Sequence, residues 1–186
     1  MRNLSNLLNQ QINRKLNPKL KGFFIASILS LCFSCSNQAL YEQYQAIDNT
    51  LWEKDKVYYF TFRIDDISVP YDLTLEIRNN NLYPYQNLWV FCNEEPPIGA
   101  LQKDTIECML ADEFGKWYGH GISLYQSSFP IRKHYIFPHS GQYTFSFRQG
   151  MRNDKLRGIQ EIGFRIQQSN ADTINVPSEK HPDEEK

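Results

Sequence analysis

Between residues 52 and 168 the dominant alternation of apolar and polar positions has a period of two. "YDLTLEIR" places Tyr71, Leu73, Leu75 and Ile77 on one face and Asp72, Thr74, Glu76 and Arg78 on the other, the pattern of a strand with one wet side. "YFTFRI" sets Phe60, Phe62 and Ile64 on a common face, "QYTFSFR" sets Tyr143, Phe145 and Phe147, and "EIGFRIQ" sets Ile162, Phe164 and Ile166. "NLWVFC" and "TIECML" carry apolar residues on both faces and read as central strands. Turn chemistry separates the runs: "RNNNLYPY" with Pro84, "NEEPPIG" with Pro96 and Pro97, "ADEFGKW" with Gly115 and "FPHSGQY" with Gly141. Only "MRNDKLRGIQEIG" leaves room for a short helical turn. The pattern predicts an all-β chain: one antiparallel β-sandwich, jelly-roll-like, over residues 52–168.

A different pattern opens the chain. "KGFFIASILSLCFSCSNQ", residues 21–38, is apolar from Gly22 to Phe33, too short for the ~20 residues a spanning helix needs. Arg2, Arg14, Lys15, Lys19 and Lys21 precede it, and no acidic residue appears before Glu42. That is the build of an export signal. Ser34 directly before Cys35 resembles a bacterial lipobox, although Cys32 stands where a lipobox usually has Leu. Bulky Leu31 makes Cys32 a poor attachment site. Residues 1–34 are therefore expected to be a cleaved lipoprotein signal peptide and Cys35 the lipid attachment site. The competing reading is ordinary cleavage that leaves Cys35 free. Two or three acyl chains, palmitate among them, would hold the protein at a membrane where one would bind only marginally. Residues 35–51 read as lipidated N-terminus and tether. Residues 169–186, polar, Pro-punctuated and acid-leaning, read as a disordered tail.

Composition narrows the function. A formal net charge of −1 over 186 residues argues against a nucleic-acid partner. There is no G-x-S-x-G, no H-E-x-x-H and no phosphate-binding glycine loop. His120, His134, His139 and His181 are scattered; His134 and His139 flank one segment but read as loop residues rather than a metal pair. Asp65-Asp66 and Asp112-Glu113 read as turn formers, with calcium binding the lesser alternative. Adjacent strand carboxylates point to opposite faces and cannot flank one bond. No catalytic residue, metal, cofactor or small-molecule substrate is expected. Cys92 and Cys108 lie on separate predicted strands. A disulfide would form if those strands pair with the cysteines opposite each other; otherwise they are buried thiols.

Aromatics remain. If Leu88, Val90 and Cys92 face the core, Trp89 and Phe91 face outward, and Tyr83, Tyr85, Trp117 and Tyr118 add rings nearby. Such a face suits sugar stacking, as in a carbohydrate-binding module, or a protein interface, where Tyr, Trp and Arg are enriched. The residues expected to form an interaction surface are Arg78, Asn80, Tyr83, Tyr85, Trp89, Met151 and Arg152.

Three blocks in order, "YDLTLEIRNNNLYPYQNLWVF", "DTIECMLADEFGKWYGHG" and "FPHSGQYTFSFRQGMRNDKLRGIQEIGFRI", resemble the gliding-motility lipoproteins of the GldH family from Bacteroidetes. The likeness covers about Trp52 to Ile166. It implies a non-catalytic envelope lipoprotein of the gliding and type IX secretion apparatus, with no cofactor and with other machinery proteins as partners. Of the family's residues only the lipid-bearing cysteine transfers, onto Cys35. Acidic residues just after that cysteine, which accompany surface export in these bacteria, are absent from Ser36 to Leu40. The expectation is therefore a domain on the periplasm-facing side of the outer membrane. The alternative function is a surface carbohydrate-binding lipoprotein.

Overall fold

A computed structural model describes residues 39–169; the expected signal peptide (1–34), Cys35 and the expected disordered tail from residue 170 lie outside the described residues. The strands are β1 (Tyr41–Ala46), β2 (Leu51–Glu53), β3 (Tyr58–Ile64), β4 (Tyr71–Asn80), β5 (Asn87–Glu95), β6 (Gln102–Met109), β7 (Leu124–Tyr135), β8 (Gly141–Gln149), β9 (Lys155–Arg157) and β10 (Ile159–Gln168).

The pairing is antiparallel throughout and nested: β1 with β10, β2 with β9, β3 with β8, β4 with β7, β5 with β6. The described residues form one long hairpin with its apex at residues 96–101, rolled up on itself. Pairing of β10 with β4 and of β5 with β8 joins successive turns of the roll. The products are two four-stranded sheets, β1-β10-β4-β7 and β3-β8-β5-β6, and the small β2-β9 ribbon. This is a jelly roll, as the sequence pattern predicts.

Between the sheets lie the alternating residues of the sequence pattern. Phe60, Phe62, Ile64, Tyr143, Phe145, Phe147, Leu88 and Val90 come from one sheet; Leu73, Leu75, Ile77, Ile162, Phe164 and Ile166 come from the other. Phe164 sits at the centre, with ring centroids 4.9 Å from Phe145, 5.4 Å from Phe147 and 5.9 Å from both Phe60 and Phe62. Each such ring stabilises the fold by roughly 1.5–3 kcal/mol through burial. Both open sides are closed by side chains. Gln45 Nε2 on β1 donates to the Tyr59 carbonyl on β3 at 2.6 Å, and Arg132 on β7 pairs with Asp104 on β6 at 2.9 Å.

The roll gathers its connections at two poles. The proximal pole holds residues 39–40, where the chain enters β1, the loops 65–70, 96–101 and 136–140, and the exit at Ser169. The distal pole holds residues 47–57, 81–86, 110–123 and 150–158.

Four expectations need correction. The predicted tether, 35–51, contains strand β1, so the domain begins before Trp52. "YEQYQA" lacks clean alternation because it is an edge strand with little of it buried, and its order comes from pairing with β10. "TIECML" lies in β6, an edge rather than a central strand. "MRNDKLRGIQEIG" forms a turn and then β9 and β10, with no helix. Lastly, the wet face of β4 is partly roofed. Glu76 is 1% exposed, held by Ser128 Oγ at 2.6 Å and Arg165 Nη2 at 3.2 Å. Gly163 stands in register between Tyr44 and Glu76; a Cβ there would fall 2.5 Å from the Tyr44 ring. The glycine thus lets the ring lie flat across the sheet.

Candidate functional site

The three sequence blocks converge at the distal pole. Asn80–Asn87 of the first block, Leu110–Gly121 of the second with Ile122 and Ser123 after it, and Gly150–Gly158 of the third form its loops. Tyr83 is their common centre. It is 3% exposed, donates its hydroxyl to the Asn87 carbonyl at 2.8 Å, and meets the rings of Tyr85 and Trp117. Burial pushes its phenol pKa well above the usual range. Gly158 is obligatory beneath it: its φ is +89°, and a Cβ there would lie 2.2 Å from the Tyr83 nitrogen.

Polar side chains stitch the loops together. Trp117 Nε1 donates to Asn81 Oδ1 at 3.0 Å, and the Tyr85 hydroxyl donates to Asn153 Oδ1 at 2.8 Å. Gln149 Nε2 donates to the Asn153 carbonyl at 2.9 Å and its Oε1 accepts from Met151 N at 2.8 Å. In the second block Ala111 bridges to Trp117. Asp112 Oδ1 accepts from Phe114 N and Lys116 N, both at 2.9 Å, while Gly115 takes φ +81°. This is the turn that "ADEFGKW" predicts. Asp66 does the same for Ser68, and those hydrogen bonds hold its carboxyl below the usual carboxylate range.

The residues expected to form an interaction surface divide. Trp89 and Arg152 are exposed, and Met151 and Tyr85 are half-buried beside them, with Met151 Sδ 3.4 Å from Trp89 N. Asn80 is half-buried and caps its own turn, accepting from Leu82 N. Tyr83 is core, not surface. Arg78 is no free cation: it pairs with Glu161, donates to Gln126 and lies 4.1 Å over the Tyr44 ring. Sequence reasoning missed Phe114 and Ile122, the most exposed apolar residues of the pole at 87% and 93%. Each stands at a loop tip between turn residues, which was the available signal.

Two other expectations fall. Cys92 faces Asp104 and Cys108 faces Leu88 in the β5–β6 register. That offset of four residues separates them by about 13 Å along the strands, too far for a disulfide. Both thiols are free and buried; burial pushes Cys92 up to about 12 and raises Cys108 too. The sugar platform of Tyr85, Trp89 and Trp117 is not assembled. Tyr85 and Trp117 pack on Tyr83 at 75° and 46°, and Trp89 lies apart on the outer face of β5. Next to it on β5, Phe91 lines an open groove of about 650 Å³ together with Lys103 and Arg148, whose guanidinium lies 5.2 Å over the Phe91 ring. Among the described residues no cluster of three His, Cys, Asp or Glu could hold a metal ion.

Fold and pole together define a jelly-roll domain whose organised surface is a set of side-chain-stitched loops. A family model described as GldH lipoprotein matches residues 39–166, the span of the roll. Gliding motility lipoprotein GldH homolog of Christiangramia forsetii is 34% identical over 154 residues, covering 78% of this chain and 93% of that protein. Gliding motility lipoprotein GldH of Flavobacterium johnsoniae is 30% identical over 146 residues, covering 74% and 90%. The chain belongs to the GldH lipoprotein family. A structure of infectious bursal disease virus, Gx strain, aligns at 10% identity with a TM-score of 0.29, over 75% of this chain and 35% of the viral one. The chain spans about a third of that viral protein, and so distant a likeness carries no argument.

Proposed function

We propose that the protein is a non-catalytic envelope lipoprotein and a component of the gliding-motility and type IX secretion machinery. It is anchored through acyl chains on Cys35 and faces the periplasm from the outer membrane. Family membership across the whole roll carries this reading; Ser34-Cys35 behind a short apolar run supports the anchor. The distal pole is the surface offered to other machinery proteins, with Trp89, Met151 and Arg152 accessible on its flank. The test is deletion in a gliding host, complemented by the wild type and by Cys35→Ala. Deletion abolishes surface spreading and lowers secretion of type IX cargo, and Cys35→Ala fails to restore them. Unimpaired spreading and secretion after deletion would overturn the reading. Retention on polysaccharide gels that Phe91→Ala removes would favour the carbohydrate-binding alternative.

A further inference from the structure

We propose that the proximal pole is a membrane-seating surface. Ile67, Ile98 and Ile136, with Leu40, enter the headgroup–acyl boundary of the bilayer that holds Cys35. The inference rests on the lipid-anchor reading above. Each loop of this pole carries one exposed isoleucine: Ile67 in 65–70, Ile98 in 96–101 and Ile136 in 136–140. Leu40 stands where the chain enters β1. These four are between 41% and 66% exposed. Turn geometry does not ask for them. Asp66 already caps the first loop, and Pro96, Pro97 and Gly99 at φ +114° shape the second. Every large exposed apolar residue of the pole is aliphatic, Leu101 included, as immersion in acyl chains favours. Charges of both signs surround them, Asp65, Asp66 and Glu95 against Arg63 and Lys133. Apolar burial rather than attraction to anionic lipid therefore drives the contact.

Reach identifies the occupant. Six peptide units separate Cys35 from Tyr41 and span at most about 21 Å. The ten residues of β4 set the poles about 30 Å apart. To aim the distal tips at the anchoring bilayer, Tyr41 would have to stand about 30 Å above it, beyond what the tether allows. The proximal loops meet no such limit. Because acyl chains already hold the domain at the surface, seating is an intramolecular step, and a few aliphatic side chains suffice.

The test uses the full lipidated protein reconstituted into phosphatidylethanolamine–phosphatidylcholine vesicles. An environment-sensitive nitrobenzoxadiazole probe is placed on a single cysteine at position 40, 98, 136, 114 or 122; the buried Cys92 and Cys108 do not compete. Probes at 40, 98 and 136 shift to the blue and are quenched by spin labels on the acyl chains, unchanged in high salt. Probes at 114 and 122 remain aqueous. The combined variant Ile67→Ser, Ile98→Ser, Ile136→Ser keeps its melting temperature but loses quenching of a probe at position 40. Aqueous spectra at 98 and 136 while the protein floats with the vesicles would overturn the seating and leave the anchor standing. An equal shift at 114 would also overturn it. Absence of acyl chains on Cys35 by mass spectrometry would sink the anchor reading and the seating with it.

Discussion

The two poles of the roll are closed by different chemistry. At the proximal pole Phe137, 1% exposed, plugs the gap between the sheets. Its ring lies 4.7 Å from Tyr143, 4.9 Å from Tyr135, 5.6 Å from Tyr71 and 6.0 Å from Phe62. Tyrosine hydroxyls at the rim of the plug hold loop carbonyls, Tyr71 on Asp66 and Tyr143 on His139, both at 2.9 Å. At the distal pole much longer loops close the gap around Tyr83, and amides and indoles stitch them. An aromatic plug leaves short loops with little to present except their aliphatic tips. Stitching holds long loops in place without covering them, so Trp89, Phe114 and Ile122 stay free for a partner.

The comparison can be broken from the proximal side first. Phe137→Ala should destabilise the protein most, by roughly 3–5 kcal/mol, read by urea unfolding; a loss comparable to a surface substitution would mean the plug is not a keystone. Gly158→Ala should follow, at about 2–4 kcal/mol from backbone strain and the clash with Tyr83. A silent substitution there would show that the distal pole relaxes freely. Tyr83→Phe removes one hydroxyl donor and should cost about 1 kcal/mol. Asn81→Ala, which unpairs the exposed Trp117–Asn81 bond, should leave the melting temperature within a degree or so while amides of 110–118 exchange faster. Unchanged exchange would mean the stitch is incidental.

The smallest effect is a slope with pH. Glu94 points inward at the proximal end of β5. Its Oε1 accepts from the Tyr135 hydroxyl at 3.1 Å, and its Oε2 is buried with no partner. Burial raises its folded pKa, with the Tyr135 bond and Arg132 pulling the other way. The folded state therefore holds the proton more tightly than the unfolded chain. Stability from this group is full below the ordinary glutamate pKa of ~4.3 and declines as pH rises through the folded value. Glu94→Gln removes the slope, so its melting temperature should gain on the wild type as pH is raised from acid to neutral. Parallel melting curves would show that Glu94 does not sense pH.

How much of this was legible follows from which forces act along one strand. Alternation in β3, β4, β8 and β10 named the core because one face of each packs against the opposite sheet. Gly115 and Asp112 named a turn whose geometry is local. What alternation could not carry was anything set across strands. It gave no edge position for β6, no offset between Cys92 and Cys108, and no roof over Glu76. β1 escaped because pairing, not burial, orders it. Two residues of the expected surface were lost in the same way. Tyr83 and Arg78 look available in a linear reading, but a glycine 75 residues downstream and an acid on β10 claim them. The distal pole was visible only as three separate motifs, and their meeting is a property of the roll.

The place of β1 has a mechanical consequence. It is the first strand of the described residues, and its bonds to β10 run across the strand axis. A pull on the chain at Tyr41, resisted at the far pole, acts along that axis. All the cross-strand bonds then bear the load together in shear instead of peeling one after another, and the Gln45 clamp onto Tyr59 adds a hold on the second sheet. A domain hung from a membrane by this strand would carry tension through the whole β1–β10 ladder rather than through one bond at a time.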